Sequence, residues 1–194
     1  MNKKGNENRS VRNTRKKLQE GLLTLMQEKA INEITVKELT ELVDINRGTF
    51  YFHYSDVFDL LYQIEDDFFV KFNNVLNDTT PKGDADAYPY LKAIFTFLAE
   101  NQQMCRIFFS ANCDMRFFNQ IKQLVEDRCC YLWEIATPNE PTDEKRLQLY
   151  VSFIRNGCVG IIQRWLDDGL AETPEEISQI VGTIITSSIK LCMS

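Results

Sequence analysis

Hydrophobic residues recur along this chain every three or four positions, the spacing that places them on one face of an α-helix. In the first such stretch, over roughly 11–29, Leu18, Leu22 and Leu25 share a face with Met26. No stretch shows a sustained alternation of apolar and polar residues of the kind a half-buried strand requires. The pattern therefore predicts an all-α fold of about nine helices.

The next apolar stretch, INEITVKELTELVDIN, predicts a short helix from Val36 to about Asp44. Thr35 stands three residues before Glu38, which is the spacing of a capping box at a helix start. A third helix begins at about Asn46, only a few residues after the second helix ends. Two short helices joined by so tight a turn, behind a longer first helix, predict a helix-turn-helix.

Longer helices follow, separated by polar segments. We expect breaks at 77–89 and 136–144, and helices over about 56–76, 90–100, 101–110, 114–135 and 143–168. This order predicts an N-terminal helix-turn-helix domain over 1–54, with a basic tail at 1–10, and a larger C-terminal helical domain over 55–194.

The start of the last helix has a clear sequence signature. Gly169 stands where the end of a helix requires a left-handed residue. Thr173 then precedes Pro174 and Glu176, which predicts a capped helix beginning at Pro174.

Charge is unevenly distributed along the chain, whose net charge is −6. Residues 1–54 contain ten Lys/Arg and seven Asp/Glu, whereas residues 55–194 contain twelve and twenty-one. Seven of the first 17 residues are basic and one is acidic. A positive N-terminal part on a negative body indicates an end that binds a polyanion, although a basic tail can also be only a solvated leader.

Neither hydropathy nor cysteine usage indicates a membrane or secretion. No apolar run approaches the ~20 residues of a membrane helix, and no apolar segment follows the basic N-terminus as it would in a signal peptide. We therefore expect a cytoplasmic protein without a membrane partner. A redox role stays open for Cys113 or the Cys129–Cys130 pair, without support from the sequence. The other reading is that free cysteines are buried, and four lie among apolar residues: Cys105, Cys129, Cys158 and Cys192.

Candidate catalytic and metal-binding groups are scarce. The eight glycines form neither GxGxxG nor GxxxxGK[ST], so no phosphate-binding loop is predicted. A Ser/His or Cys/His pair would have to use His53, the only histidine, which lies in the third helix of the helix-turn-helix. GDAD at 83–86 is not an EF-hand. We therefore predict that the protein is not an enzyme and has no catalytic residue, no metal site and no cofactor.

The third helix, within NRGTFYFHY (46–54), is unusually rich in aromatic residues. A helical wheel places Phe50 and Tyr54 on one side, where they would pack on the first two helices. Gly48 and Phe52 lie on the opposite side and face solvent or a partner. An exposed aromatic cluster usually marks an interaction site, although the simpler alternative is that all these rings belong to the core.

The remaining residues of this segment have the chemistry to contact DNA. Phe52 can make apolar contact with a thymine methyl group in the major groove, and Gly48 lets the backbone come close. Candidate base contacts at the N-terminal turn of the helix are Asn46, Arg47 and Thr49. Candidate phosphate contacts are Tyr51 and His53 on its flanks and Thr35 at the start of the second helix.

The segment ITVKELTELVDINRGTFYFHYSDVFDLL resembles the DNA-binding signature of the TetR/AcrR family of bacterial transcription regulators. The resemblance covers roughly residues 12–62 and includes a Thr-capped second helix followed by Arg-Gly-Thr-Phe-Tyr-x-His-aromatic. Because these positions contact DNA in the family, the resemblance implies DNA contacts at Thr35, Asn46, Arg47, Gly48, Thr49, Tyr51, Phe52 and His53.

Two positions depart from the family pattern. The glycine of the turn is replaced by Asp44, which can adopt a left-handed conformation. A lysine common near the start of the fourth helix, where it contacts a phosphate, is replaced by Val57. The loss of one phosphate contact predicts a weaker dependence of DNA affinity on salt.

The segment NGCVGIIQRWLDDGLAETPEE resembles a C-terminal subgroup, common in Gram-positive bacteria, that includes regulators of dihydroxyacetone kinase operons. In the family the last two helices form a four-helix bundle with those of a second subunit, which implies a homodimer. The alternative is that these residues pack only inside one subunit. The interface implied by the resemblance comprises Gly157, Gly160, Ile161, Trp165, Ile177, Ile180, Val181, Ile184 and Ile185.

A lone helix-turn-helix makes few base contacts, and a two-fold dimer on a pseudo-palindromic operator is the usual remedy. We therefore expect a homodimeric regulator of double-stranded DNA, a repressor released by a small-molecule effector that biases the fourth helix. The alternatives are an activator controlled by a partner protein, or a helical interaction module that has lost DNA binding. Rings that could line an effector site, or simply form aromatic core, are Phe95, Phe108, Phe109, Phe117, Tyr131 and Trp133.

Overall fold

The computed structural model of the chain describes residues 9–79, 88–110, 115–136 and 143–193. Within these ranges the regular structure is entirely helical, which confirms the predicted all-α fold. A 3₁₀ turn at Ile31–Glu33 precedes the second helix. The helices are α1 (Arg9–Met26), α2 (Val36–Leu42), α3 (Arg47–His53), α4 (Val57–Thr79), α5 (Tyr88–Glu100), α6 (Gln102–Phe108), α7 (Met115–Ala136), α8 (Glu144–Asp167) and α9 (Pro174–Met193).

Helix starts agree with their predicted caps, whereas two helix ends differ from the predictions. The second and last helices begin at Val36 and Pro174, as the caps predict. The first helix ends at Met26 rather than near Lys29. The N–H groups of the two residues after Met26 donate to carbonyls three residues earlier, as in a turn, and not four residues earlier as in an α-helix. The fourth helix continues to Thr79, whose hydroxyl donates to the Val75 carbonyl at 2.6 Å. Residues 80–87 and 137–142, in the two predicted breaks, lie outside the described residues.

The chain forms two compact units, Met1–Phe69 and Val70–Ser194. The boundary between the two units lies inside α4, after Phe69. The sequence pattern predicts a domain boundary after Tyr54. The first half of α4 belongs to the first unit, where it buries Leu60, Leu61 and Ile64.

In the first unit, α1 packs against α2 through a very close approach at Gly21. A Cβ atom at this position would lie 2.3 Å from Val43 Cγ1 and 3.1 Å from Leu39 Cδ1. No real Cβ tolerates the shorter distance, so the crossing of α1 and α2 requires glycine. Leu18 and Leu22, one turn apart on α1, are completely buried, as the apolar spacing predicts.

In the second unit, α5 packs on α9 and α7 packs on α8. The Lys92 ammonium of α5 pairs with the Glu175 carboxylate of α9 at 2.7 Å. Arg155 Nη1 of α8 lies 2.9 Å from Glu126 Oε2 of α7. The core between α7 and α8 comprises Cys129, Trp133, Tyr150, Val151 and Ile154.

The turn between α8 and α9 has two successive left-handed residues. Gly169 has φ +76°, as its position at the helix end predicts, and Leu170 follows with φ +60°. The Leu170 N–H donates to the Trp165 carbonyl at 2.9 Å, and the Trp165 Nε1–H donates to the Glu172 carbonyl at 2.9 Å. These bonds satisfy the end of α8 and hold the chain in the turn that leads to α9.

Candidate nucleic-acid interface

The second helix begins with Thr35, whose hydroxyl oxygen accepts a hydrogen bond from the Glu38 N–H at 3.2 Å. This bond is half of the predicted capping box. The Glu38 carboxylate is paired with the Lys29 ammonium, at the end of the turn that follows α1, instead of returning to the Thr35 N–H. Thr35 itself is exposed.

The turn into α3 is short because Asp44 adopts a left-handed conformation, with φ +53°. The Ile45 N–H then donates to the Thr40 carbonyl at 3.0 Å, which closes the turn. Aspartate reaches this region more readily than most residues, so it replaces the glycine that the resemblance leads one to expect.

The third helix is capped by Asn46, whose Oδ1 accepts from the Gly48 N–H at 2.7 Å. A Cβ atom at Gly48 would lie 3.1 Å from that same Oδ1, so glycine makes room for the cap. The carbonyl end of Asn46 is therefore committed to the helix start, and its amide nitrogen is the end that can reach DNA.

The third helix divides into a buried and an exposed side, as the helical wheel predicts. Phe50 and Tyr54 are buried, whereas Phe52 is 79% exposed and Tyr51 is 58% exposed. The Phe52 and His53 rings contact edge to face, with centroids 5.0 Å apart. We define the α3 face as the exposed or half-exposed residues Arg47, Gly48, Thr49, Tyr51, Phe52 and His53.

Two hydrogen bonds around Asp59 fix the junction between α3 and α4. The Asp59 carboxylate accepts from the Ser55 N–H at 2.9 Å, and Asp56 Oδ1 accepts from the Asp59 N–H at 2.8 Å. The bond from the Ser55 backbone is the main reason that the pKa of Asp59 lies below its usual value. Val57, at the position where the family has a phosphate-binding lysine, is buried.

Exposed basic residues also follow one side of α1. Arg9, Arg12 and Lys16 recur there at helical spacing, and Lys16 lies 3.6 Å from the Glu20 carboxylate. These cations add positive charge to the same unit that presents the α3 face.

The residues implied for a dimer interface separate into two groups. Trp165, Ile177 and Val181 are buried within the chain, and Ile161 and Ile185 are partly covered. Gly157 and Gly160 are exposed, with nothing within 4 Å of a Cβ built on either, and Ile180 and Ile184 are exposed as well.

Two further exposed apolar residues of α8, Leu149 and Phe153, lie on the same side of the helix as Gly157. Leu149 is 65% exposed and Phe153 is 60% exposed, and with Gly157 they are spaced four residues apart. We define the α8/α9 face as Leu149, Phe153, Gly157, Gly160, Ile180 and Ile184. The sequence analysis missed Leu149 and Phe153, although their spacing from Gly157 is a signal that could have identified them.

Several of the six rings predicted for an effector site pack against another ring. Phe108 and Phe117 pack together with centroids 4.2 Å apart, Phe95 contacts Trp165, and Trp133 contacts Tyr150. Phe109 is buried and Tyr131 is partly exposed. Two surface grooves of the second unit, of about 410 and 490 Å³, are lined by other residues.

Burial raises the thiol pKa of all four cysteines whose side chains are described. Burial raises the pKa of Cys105 and Cys129 to about 12 and that of Cys158 to about 11, so these thiols stay protonated near neutral pH. Cys113 and the side chain of Cys192 lie outside the described residues. No helix among the described residues is long and apolar enough to cross a membrane, and no three potential ligands among them form a metal-binding group.

Comparisons with known proteins match the C-terminal region of the chain and most of its length. A TetR-type family model described as "Transcriptional regulator C-terminal region" matches residues 85–187, just over half of the chain. The chain is 25% identical over 181 residues, 87% of its length, to YxbF of Bacillus subtilis (strain 168), an uncharacterized HTH-type transcriptional regulator. It spans only 44% of the length of that relative.

Solved structures share the fold over most of both chains. Dihydroxyacetone kinase operon activator DhaS matches with a TM-score of 0.58 at 19% identity, over 92% of this chain and 97% of that one. FadR from Bacillus subtilis in complex with stearoyl-CoA matches with a TM-score of 0.63 at 14% identity, over 89% of this chain and 98% of that one. Identities this low show a common fold and nothing finer.

Proposed function

The chain belongs to the TetR family of transcriptional regulators, and we propose that it acts as a homodimer that binds a pseudo-palindromic operator in double-stranded DNA. The observation that carries this proposal is the α3 face, where a large ring, Phe52, extends into solvent on the same short helix as the exposed Arg47. Exposure of such a ring is unfavourable in water, and contact with a thymine methyl group in the major groove removes that cost.

We divide the DNA contacts between bases and phosphates. Arg47 and Thr49 reach base edges from the first turn of α3, together with the Asn46 amide nitrogen that the cap leaves available. Tyr51, His53 and the exposed Thr35 hydroxyl donate to phosphates and set the position of the helix in the groove. Gly48 and Phe52 make the close apolar contact.

We propose that the α8/α9 face joins two copies of the chain. Its exposed apolar side chains, Phe153 and Ile180 among them, are unfavourable in water unless a partner buries them. The free space at Gly157 and Gly160 lets a second pair of helices approach. Trp165, Ile177 and Val181 then support this face from inside rather than crossing the interface.

We further propose that the protein is a cytoplasmic repressor released by a small-molecule effector. The support is that FadR, which shares the fold, was solved in complex with stearoyl-CoA. The fourth helix begins in the first unit and ends in the second, so a ligand that changes the packing of its second half can move its first half. An effector that enters among Phe108, Phe117 or Trp133 would have to displace packed rings.

That packing favours a second candidate, an activator controlled by a partner protein. DhaS, which shares the fold, is described as an operon activator. A thermal-shift screen separates the two: a small-molecule effector raises the melting temperature, whereas a protein controlled by a partner gives no hits and co-purifies with that partner.

The DNA-binding proposal is tested by selecting duplexes from a random-sequence pool with the purified protein. We expect enrichment of an inverted repeat and binding by a dimer in light scattering. Recovery of no sequence, or identical binding by wild type and Arg47→Ala, would refute the proposal and leave a helical interaction module.

A further inference from the structure

Two of the described helices, α2 and α9, begin with the same pattern, Thr-x-x-Glu, and they use it differently. At α9 the capping box is complete, since Glu176 Oε2 accepts from the Thr173 N–H at 2.8 Å and from the Thr173 hydroxyl at 2.9 Å. At α2 the Thr35 hydroxyl still accepts from the Glu38 N–H, but the Glu38 carboxylate pairs with Lys29.

This difference matters because of what the carboxylate covers. At α9 it occupies both hydrogen-bond donors of the capping threonine, its N–H and its hydroxyl. At α2 the carboxylate is held by the lysine, so it leaves the Thr35 hydroxyl hydrogen to an external acceptor. On the proposed DNA-binding function, that acceptor is a phosphate oxygen.

We propose that Lys29 is a positioning residue for DNA binding, which holds the Glu38 carboxylate out of the capping box and keeps Thr35 open to phosphate. Without Lys29, Glu38 closes the box as Glu176 does. The carboxylate then takes the Thr35 hydroxyl and places a negative charge where the phosphate would lie. The proposal rests on the proposed function, because it assigns Lys29 a role in the same DNA contact.

The pair is suited to such a role because it is shielded. The side chains of Lys29 and Glu38 are 29% and 36% exposed, whereas those of Lys37 and Glu41, another pair involving α2, are 64% and 66% exposed and 4.0 Å apart. A shielded pair persists in salt, while an exposed one contributes little. Lys37 and Glu41, which both lie on α2, therefore provide a control pair with the same two charges.

The test is a double-mutant cycle on DNA affinity. The variants are Lys29→Met, Glu38→Ala and their combination, with Lys37→Met, Glu41→Ala and their combination as controls; alanine is used because a glutamine side chain at position 38 would itself close the capping box. The probe is the duplex that the wild-type chain selects from a random-sequence pool, and affinity is measured by fluorescence anisotropy. Thermal unfolding of each variant is measured in parallel.

We expect Lys29→Met to weaken binding by about tenfold or more, the loss of one charged hydrogen bond. Its melting temperature stays at or above that of the wild type, because α2 gains a cap. Glu38→Ala changes the affinity by less than about threefold, and adding it to Lys29→Met restores near-wild-type binding, because alanine cannot reach the Thr35 hydroxyl. The control variants each change the affinity by only about twofold, through general charge.

Several results would overturn the proposal. If Lys29→Met weakens binding equally with and without Glu38→Ala, then Lys29 itself contacts DNA. If Glu38→Ala strengthens binding as much as Lys29→Met weakens it, the effect is net charge alone. If Lys29→Met binds normally, or loses affinity together with a lower melting temperature, Lys29 has no positioning role; Lys29→Gln repeats the measurement with a polar replacement. Failure of the proposed function is distinguishable, since the wild-type chain would then select no duplex.

Discussion

The α3 face and the α8/α9 face both expose large apolar side chains beside glycine, yet their surroundings differ. Around Phe52 lie a guanidinium, hydroxyl groups and a histidine, in a part of the chain with excess positive charge. Around Phe153 lie Leu149 and Gly157, in a part with excess negative charge.

An exposed hydrophobic residue indicates a partner, and the residues next to it indicate what kind of partner. A polyanion requires donors and cations next to the apolar contact. A second copy of the same chain requires a self-complementary apolar surface on which backbones can approach. Mutations on each face, with controls elsewhere, show whether this distinction holds.

The largest effect is expected on the α8/α9 face. Phe153→Glu places a charge in the proposed interface and weakens self-association by on the order of a hundredfold. Sedimentation or light scattering should show a monomer at concentrations where the wild type is dimeric. Val70→Glu, at a similarly exposed residue of α4, should leave the dimer intact; equal behaviour of both variants would contradict the assignment of this face.

On the α3 face, Arg47→Ala removes a side chain that we propose to contact base edges. We expect about 10- to 100-fold weaker binding of the selected operator duplex in fluorescence anisotropy, with the dimer unchanged. Arg106→Ala, which removes an exposed charge from α6, is the control and should bind normally. If both substitutions weaken binding alike, the loss comes from the change in net charge and not from a specific contact of Arg47.

Gly21 and Gly157 should respond in opposite ways to an added methyl group. Gly21→Ala forces a methyl group against Val43 and should lower the free energy of unfolding by about 1–3 kcal/mol in urea denaturation. Gly157→Ala, which meets nothing within 4 Å, should raise it by about 0.5–1 kcal/mol in the monomeric Phe153→Glu background. A stable Gly21→Ala variant would show that α1 and α2 do not approach so closely.

A smaller effect is expected at His53, which we assign to phosphate rather than to bases. His53→Ala should weaken binding to the operator and to an unrelated duplex by the same factor, about three- to tenfold. Competition between the two duplexes measures this ratio. A loss confined to the operator would mean that His53 reads sequence.

The smallest effect concerns the turn between α2 and α3. Asp44→Gly should raise the free energy of unfolding by up to about 1 kcal/mol, whereas Asp44→Ala should lower it by about the same amount, because the residue has a left-handed backbone. Urea denaturation of both variants decides this point. Operator affinity should follow wild type in the glycine variant, since the turn keeps its shape.

Much of the DNA-binding unit could be predicted from the sequence because its signals are local. Thr35 and Asn46 cap helices from positions next to those helices, and the side of α3 that holds Phe50 and Tyr54 follows from helical periodicity alone. The left-handed turn residue Asp44 was predicted from the family resemblance, in which it replaces a glycine.

The second unit was less predictable because its helices are apolar on more than one side. Phe153 and Ile154 are neighbours in sequence, yet the first is 60% exposed and the second only 3%. Similarly, Ile180 is exposed and Val181 is buried. Periodicity limits which residues share a face, but it does not say which apolar face a distant helix covers.

By itself, the sequence determined the helical class, the helix starts, the buried and exposed sides of α3 and the family, since each follows from residues close together in the chain. The tertiary structure decided which apolar stripe of α8 and α9 stays exposed, and that the aromatic rings of the second unit pair with one another. It also decided that Glu38 binds Lys29 while Glu176 completes its capping box, although the two patterns are the same. The reason is physical: a local pattern offers a side chain its options, and only neighbours brought close by folding select among them.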